Sequence, residues 1–291
     1  MKAISLKGCG TALVTPFKDG EVDYEAYASL IDRQYDAGVD FLVALATTGE
    51  TPSLSDEEKT ALLKLTFGHA GGLPIVVGCG SNSVSGTLAN MRRLDGREVD
   101  AWLVVVPFYN KPTQEGMYLY FKEIASNTDK PVIIYNVPSR TGANMKAETC
   151  LRLAREVPGI VAIKEASGNL AQIEEILAGA PEGFAVFSGD DALTLTMMEK
   201  GARGVISVAS NLLPERVSQV VSAALEGDFA RAAALDKPLQ PLYEACFVES
   251  NPIPVKAGME VLALCSSEMR LPLTAASQST RDAMSQILKN L

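Results

Sequence analysis

The chain has 291 residues, 47% of them apolar, enough to bury the core of one large domain or of a barrel with an appendage. Its 26 basic and 35 acidic residues give a net charge of −9, which argues against nucleic acid and anionic membranes as partners and otherwise simply favours solubility. The single histidine, His69, excludes a zinc site built on several histidines and leaves a Ser-His-Asp triad only if His69 itself serves; near the end of a helix it reads as a surface residue.

At the N-terminus, residues 1–9 lack the long apolar segment of a secretory signal, and without it the Leu6–Cys9 stretch makes no convincing lipoprotein cleavage site. No later apolar stretch is long enough to span a bilayer. Short apolar runs then recur at Thr11–Val14, Phe41–Ala46, Pro74–Val77, Ala101–Val106, Pro131–Tyr135, Ile160–Lys164, Phe184–Phe187 and Gly204–Val208. Continuous runs without strict alternation predict parallel strands buried on both faces.

Between the runs lie amphipathic stretches. Tyr24, Tyr27, Ala28, Ile31 and Tyr35 fall at helical spacing after Asp23, with Gly38 as a stop. Ser55 and Glu58 make a capping box before Leu62 and Leu63. Val217, Val220, Val221 and Ala224 repeat the helical pattern after Pro214, a good first-turn residue. Eight such units predict a (β/α)8 TIM barrel over residues 1–226, and the absence of a GxGxxG after any strand weakens the alternative of a dinucleotide-binding doubly wound sheet. Residues 227–291 hold no strand pattern and read as a C-terminal helical region broken by Pro238, Pro241, Pro252, Pro254 and Pro272. The five cysteines are odd in number and show no CxxC spacing, which suits a reduced, cytoplasmic setting.

In such a barrel the working groups sit at the C-terminal strand ends. Those ends carry Thr47-Thr48-Gly49-Glu50, Tyr109, Tyr135-Asn136, Lys164-Glu165, Ser188-Gly189-Asp190 and Ser207. Strand alternation puts Ala162 and Lys164 on one face and Ile163 and Glu165 on the other, and gives Ile133 and Tyr135 a common face. An inward Lys164 would lie among apolar side chains, where the neutral amine, the nucleophile for a ketone, is favoured over the ammonium. The competing reading is a lysine paired with a carboxylate or reaching water. Tyr135, tuned by hydrogen bonds and relayed through Thr47 or Thr48, would shuttle protons in place of a histidine, or simply pack. The Thr47–Glu50 turn offers N–H groups and hydroxyls to a carboxylate, or is a plain strand-to-helix turn. Arg140 would grip a second carboxylate, or be merely solvated.

Taken together, Thr47-Thr48-Gly49-Glu50, Tyr135-Asn136-Val137-Pro138-Ser139-Arg140-Thr141-Gly142, Ile163-Lys164-Glu165-Ala166, Ser188-Gly189-Asp190-Asp191, Gly204-Val205-Ile206-Ser207 and Asn251-Pro252-Ile253-Pro254-Val255-Lys256 resemble the motifs of the dihydrodipicolinate synthase family, within the pyruvate-dependent aldolase superfamily. The resemblance runs from about Gly8 into the C-terminal helices. It implies a Schiff base between Lys164 and pyruvate, a proton shuttle at Tyr135, and Thr47 linking it to Tyr109, which reaches across a tight-dimer interface. It further implies that Thr48 holds the pyruvate carboxylate, that Arg140 binds aspartate semialdehyde, and that Gly189 and Ile206 line the pyruvate site. No metal or organic cofactor is implied, and the usual assembly is a homotetramer, a dimer of tight dimers.

Lysine-sensitive relatives commonly carry a glutamate where this chain has Gly86 and an aromatic hydroxyl near Phe108; here Lys59 adds a positive charge while Asn82 is retained. Lysine feedback is therefore expected to be weak or absent. Two rivals stay open: another aldolase such as N-acetylneuraminate lyase, which shares the lysine and tyrosine but lacks the Arg140 motif, and a non-catalytic barrel that binds a keto acid.

Overall fold

The computed structural model describes residues 6–96 and 98–291; the N-terminal reading against a secretory signal falls partly on residues 1–5, outside the described residues. The strands of the main sheet are β1 Gly8–Ala12, β2 Phe41–Ala44, β3 Ile75–Gly78, β4 Ala101–Val105, β5 Val132–Asn136, β6 Ile160–Glu165, β7 Ala185–Ser188 and β8 Gly204–Ser207. They close into a barrel in the order β1-β8-β7-β6-β5-β4-β3-β2, so the eight-unit reading holds. Nearly every strand residue is buried, which is why the runs read as continuously apolar.

By packing density the chain separates into two compact units, one spanning Pro74–Ile206 and the other combining Gly8–Leu73 with Ser207–Leu291. In the first, β3 to β7 pair in parallel with their sequence neighbours. The β5–β6 pairing passes from Val132↔Ile160 to Ile133↔Ala162, so Val161 is a one-residue bulge. Beyond it the register is regular, with Tyr135 opposite Lys164 and Asn136 opposite Glu165.

In the second unit, β1 pairs in parallel with β2. The first strand begins at Gly8, three residues earlier than the apolar run suggests. Glycines normally mark turns, but these two are imposed by close approach: a Cβ on Gly10 would lie 2.1 Å from the Phe41 ring, and Gly8, at φ +95°, lies against the Asp40 carboxylate. The Asp19-Gly20 pair, both at positive φ, turns a small hairpin joining Phe17–Lys18 to Glu21–Val22.

Helix ends follow the local signals. Helix α1, Tyr24–Asp36, starts where Asp23 accepts from the Ala26 N–H. Helix α2, Asp56–His69, has both halves of its capping box, Ser55 N–H to Glu58 Oε2 at 2.8 Å and Glu58 N–H to Ser55 Oγ at 3.2 Å. His69 closes α2 with Nδ1 2.8 Å from Asp32 Oδ1, half-buried. The helix after β8, Pro214–Leu225, starts on its proline as read and is capped by Glu226.

Helices Phe229–Asp236, Gln240–Ala245, Ile253–Val261 and Gln278–Lys289 follow, with no further strand among the described residues. The prolines act differently from the sequence reading. Pro241 and Pro254 occupy first turns, where a missing N–H costs nothing, so they begin helices rather than break them. All five cysteines are free thiols, four of them buried. No helix among the described residues is long and apolar enough to cross a membrane.

Candidate active site

Lys164 and Tyr135 face each other at the C-terminal ends of β6 and β5. Their in-register pairing on adjacent parallel strands puts both on the same face, and the Lys164 Nζ lies 4.4 Å from the centre of the Tyr135 ring. Both are buried, Lys164 at 4% exposure. Lys164 is almost wholly buried, and it forms no ion pair with a carboxylate among the described residues.

Gly189 completes this cluster. Its N–H donates to the Glu165 carbonyl at 2.8 Å, and a Cβ at this position would sit 3.0 Å from Lys164 Cε and 2.6 Å from Ala166 Cβ. Only a residue without a side chain lets the lysine stem pass. Ile206, at the end of β8, is fully buried.

The outward faces of the same strand ends carry a buried polar network. Asn136 Nδ2 donates to Glu165 Oε2 at 3.0 Å and to Asn144 Oδ1 at 2.9 Å. Asn136 Oδ1 accepts from the Met145 N–H at 3.0 Å, and Glu165 Oε1 accepts from the Ser167 N–H at 2.7 Å. Gln172 links to both Asn144 and Glu165. Burial pushes the Glu165 carboxyl above the usual range, against the pull of these donors. The adjacent glutamate points away from Lys164, as strand alternation requires.

After β5 the chain makes a one-turn helix, Pro138–Thr141, begun by a proline and ended by Gly142 at φ +69°. Arg140 is exposed on this turn. The Tyr109 N–H donates to the Thr141 carbonyl at 3.4 Å, so the Tyr109 loop hangs from the Arg140 turn. Tyr109 itself is 88% exposed and held at φ +74°, a costly backbone state for an aromatic residue.

In the second unit, Thr47–Gly49 forms a tight turn after β2. The Gly49 and Glu50 N–H groups are spent on Ala46 and Thr47 carbonyls, while those of Thr47 and Thr48 have no partner among the described residues. Thr48 is buried, and its Oγ1 accepts from Asn251 Nδ2 at 3.0 Å. Glu50, at φ +50°, is buried and gripped from the C-terminal region. Its Oε1 lies 2.9 Å from the fully buried Lys256 Nζ, and its Oε2 accepts from the Arg270 N–H at 3.4 Å. Lys256 also donates to the carbonyls of Thr15 and Glu268 and sits 4.4 Å from the Phe17 ring centre. Burial pulls the Lys256 ammonium below the usual lysine range, and Glu50 opposes that pull.

The structure thus brings Lys164, Tyr135 and Gly189 together, joins Arg140 to Tyr109 through one loop, and anchors Thr48 to Asn251. The outward network and the grip on Glu50 were not read from the sequence. The one available signal was Lys256, a lone charge in the otherwise apolar stretch Ile253–Met259. Among the described residues no cluster of His, Cys, Asp and Glu could hold a metal ion.

Comparison with known proteins gives a consistent result. The model of the Dihydrodipicolinate synthetase family matches residues 5–291. The chain is 46% identical to a 4-hydroxy-tetrahydrodipicolinate synthase of Phocaeicola vulgatus, over 98% of this chain and 97% of that protein. Among solved structures, the dihydrodipicolinate synthase of Thermotoga maritima superposes with a TM-score of 0.94 at 39% identity, covering 98% of both chains. That of Aquifex aeolicus gives 0.94 at 44% identity, again over 98% of both.

Proposed function

The chain belongs to the dihydrodipicolinate synthetase family, and from that premise we propose how its residues perform the reaction. It condenses pyruvate with L-aspartate 4-semialdehyde to 4-hydroxy-tetrahydrodipicolinate, a lyase-class step of diaminopimelate and lysine biosynthesis. The observation that carries the residue assignment is the buried Lys164 amine, without a carboxylate partner, beside the Tyr135 ring.

The Lys164 lone pair adds to the keto carbon of pyruvate. The carbonyl oxygen takes a proton from Tyr135, and a second protonation releases it as water, leaving an imine. The positive imine nitrogen withdraws electrons, so the methyl carbon loses a proton and becomes an enamine. That carbon attacks the aldehyde carbon of the semialdehyde, whose oxygen is protonated to a hydroxyl. The semialdehyde's amine then attacks the imine carbon and displaces Lys164, closing the ring. Every atom of Lys164 is returned, so the side chain turns over.

The remaining roles follow the family pattern. Thr48, with the unspent N–H groups of its turn, holds the pyruvate carboxylate. Arg140 binds the carboxylate of the semialdehyde, Gly189 and Ile206 shape the pyruvate pocket, and Thr47 links Tyr135 to Tyr109. Residues 1–226 serve as the catalytic barrel and 227–291 as a helical region.

Tyr109 acts across a tight-dimer interface in a homotetramer; its exposure and strained backbone support this. A cytoplasmic location suits the free thiols. Gly86 and Phe108 in place of a glutamate and a phenol support weak or absent lysine feedback.

Borohydride reduction in the presence of pyruvate, followed by peptide mass spectrometry, tests the reading. An adduct on Lys164 is expected, together with turnover of aspartate semialdehyde in a coupled assay. No adduct, or cleavage of sialic acid without semialdehyde turnover, refutes it.

A further inference from the structure

Thr48 has one hydroxyl hydrogen, and where it points decides whether the residue can hold a carboxylate. Asn251 settles the other side of that oxygen. Its Nδ2 donates to Thr48 Oγ1 at 3.0 Å, and both residues are buried. A hydroxyl that accepts from an amide keeps its own hydrogen for another acceptor. Among the described residues the Thr48 hydroxyl donates to no protein group. The geometry points to Asn251, in the C-terminal helical region, as a positioning residue that turns the Thr48 hydroxyl hydrogen toward the substrate carboxylate.

The surroundings make that orientation durable. Two residues beyond Thr48, Glu50 is held by Lys256 at 2.9 Å and by the Arg270 N–H, and Lys256 lies one helical turn beyond Asn251's own segment. The Arg270 guanidinium is bound in turn to Glu58 at 2.7 and 2.8 Å and to the Gly20 carbonyl at 2.9 Å. The turn carrying Thr48 is therefore tied to the segment that follows Asn251 at one further point, Glu50–Lys256, and Glu50 is held a second time by the Arg270 N–H. A buried hydroxyl with a fixed hydrogen stabilises an anion without reorganising when it arrives.

This inference rests on the reading that Thr48 holds the pyruvate carboxylate, and the experiment separates the two. Steady-state kinetics are measured on the full chain with pyruvate and aspartate semialdehyde varied in turn, for Thr48→Val, Asn251→Asp, Asn251→Ala and the double variant Thr48→Val/Asn251→Ala. Asn251→Asp turns the partner into an acceptor that captures the Thr48 hydrogen and sets a negative charge behind it. The pyruvate KM should rise about tenfold or more while that for aspartate semialdehyde changes by less than about twofold.

Asn251→Ala frees the hydroxyl rotor and should give a smaller rise in the same direction. If the aspartate variant unfolds in a thermal melt, the alanine variant decides. In the Thr48→Val background, Asn251→Ala should add less than about twofold, because the group it acts through is gone. A Thr48→Val that raises the pyruvate KM while both Asn251 variants leave it unchanged overturns the inference alone. So does full additivity in the double variant. A Thr48→Val with an unchanged pyruvate KM overturns the carboxylate reading, and the inference with it.

Discussion

Asn136 and Glu165 stand opposite one another on β5 and β6 and are joined by a 3.0 Å hydrogen bond, one residue beyond Tyr135 and Lys164 on the same two strands. Tyr135 and Lys164 form the pair to which the proposed chemistry is assigned, and the Asn136–Glu165 bond lies in the same register one residue on. A shift of one strand past the other would displace both pairs together.

Glu165 is an acid whose folded-state value burial raises above the usual 4.5. Below about pH 4.5 it is protonated in both the folded and the unfolded chain and its ionisation costs nothing. As pH rises through the raised folded value, ionisation is harder inside the protein than outside, so that contribution to stability is lost. Glu165→Gln should abolish this loss. Relative to the variant, the parent should give up about 1.4 kcal/mol for each unit by which the value is raised. Denaturant unfolding of both chains from pH 4 to pH 8 measures it, and parallel curves would contradict it.

Gly189→Ala forces a methyl group to within 3.0 Å of Lys164 Cε and 2.6 Å of Ala166 Cβ. The backbone there needs no unusual φ, so the damage is steric and local. The rate of borohydride trapping with pyruvate should fall about 10- to 100-fold while the circular dichroism spectrum is kept. An unimpaired trapping rate would mean that the lysine stem has more room than the structure gives it.

Lys256→Met removes one partner of an ion pair whose side chains are 0% and 1% exposed and leaves the buried Glu50 carboxylate without its cation. A loss of about 3–5 kcal/mol is expected in chemical denaturation, and Lys256→Met with Glu50→Gln should recover part of it. Equal losses in the single and double variants would show that the pair is not the origin of the cost.

Lys164→Ala should give no borohydride adduct at all. Tyr135→Phe keeps the ring beside Lys164 but removes the proton carrier, and should lower kcat about 100- to 10,000-fold with an intact fold. Normal turnover in Tyr135→Phe would assign the shuttle elsewhere.

Lysine added to the coupled assay should not reach half-inhibition below about 1 mM, which corresponds to roughly 4 kcal/mol of binding. Lys59 lies 3.6 Å from Asp56, and on the reading proposed above its charge opposes the binding of a second cation. Half-inhibition in the micromolar range would overturn this expectation.

The barrel strands and helix caps were legible because each is a local signal: a run of apolar residues, an Asp or Ser before a helical stripe, a glycine after it. The inward lysine and phenol were legible for the same reason, since alternation along one strand needs no knowledge of its neighbours. What stayed hidden depends on distant partners. Gly10 has no local reason to lack a side chain; the reason is Phe41, which occupies that space. Lys256 reads as an oddity until Glu50 is found 206 positions away. Tyr109 is singled out by its place at a strand end, but its almost complete exposure shows only in the fold.

The hydrogen bond from Asn251 to Thr48 spans 203 positions in the chain, and the ion pair from Lys256 to Glu50 spans 206. Contacts of such high order close late, because the entropy of bringing the ends together is lost before any reward returns. Lys164 and Tyr135, by contrast, belong to strands adjacent in sequence that can pair early. On refolding from denaturant, regular secondary structure should return first, and the capacity to capture pyruvate should lag until the far end of the polypeptide has docked.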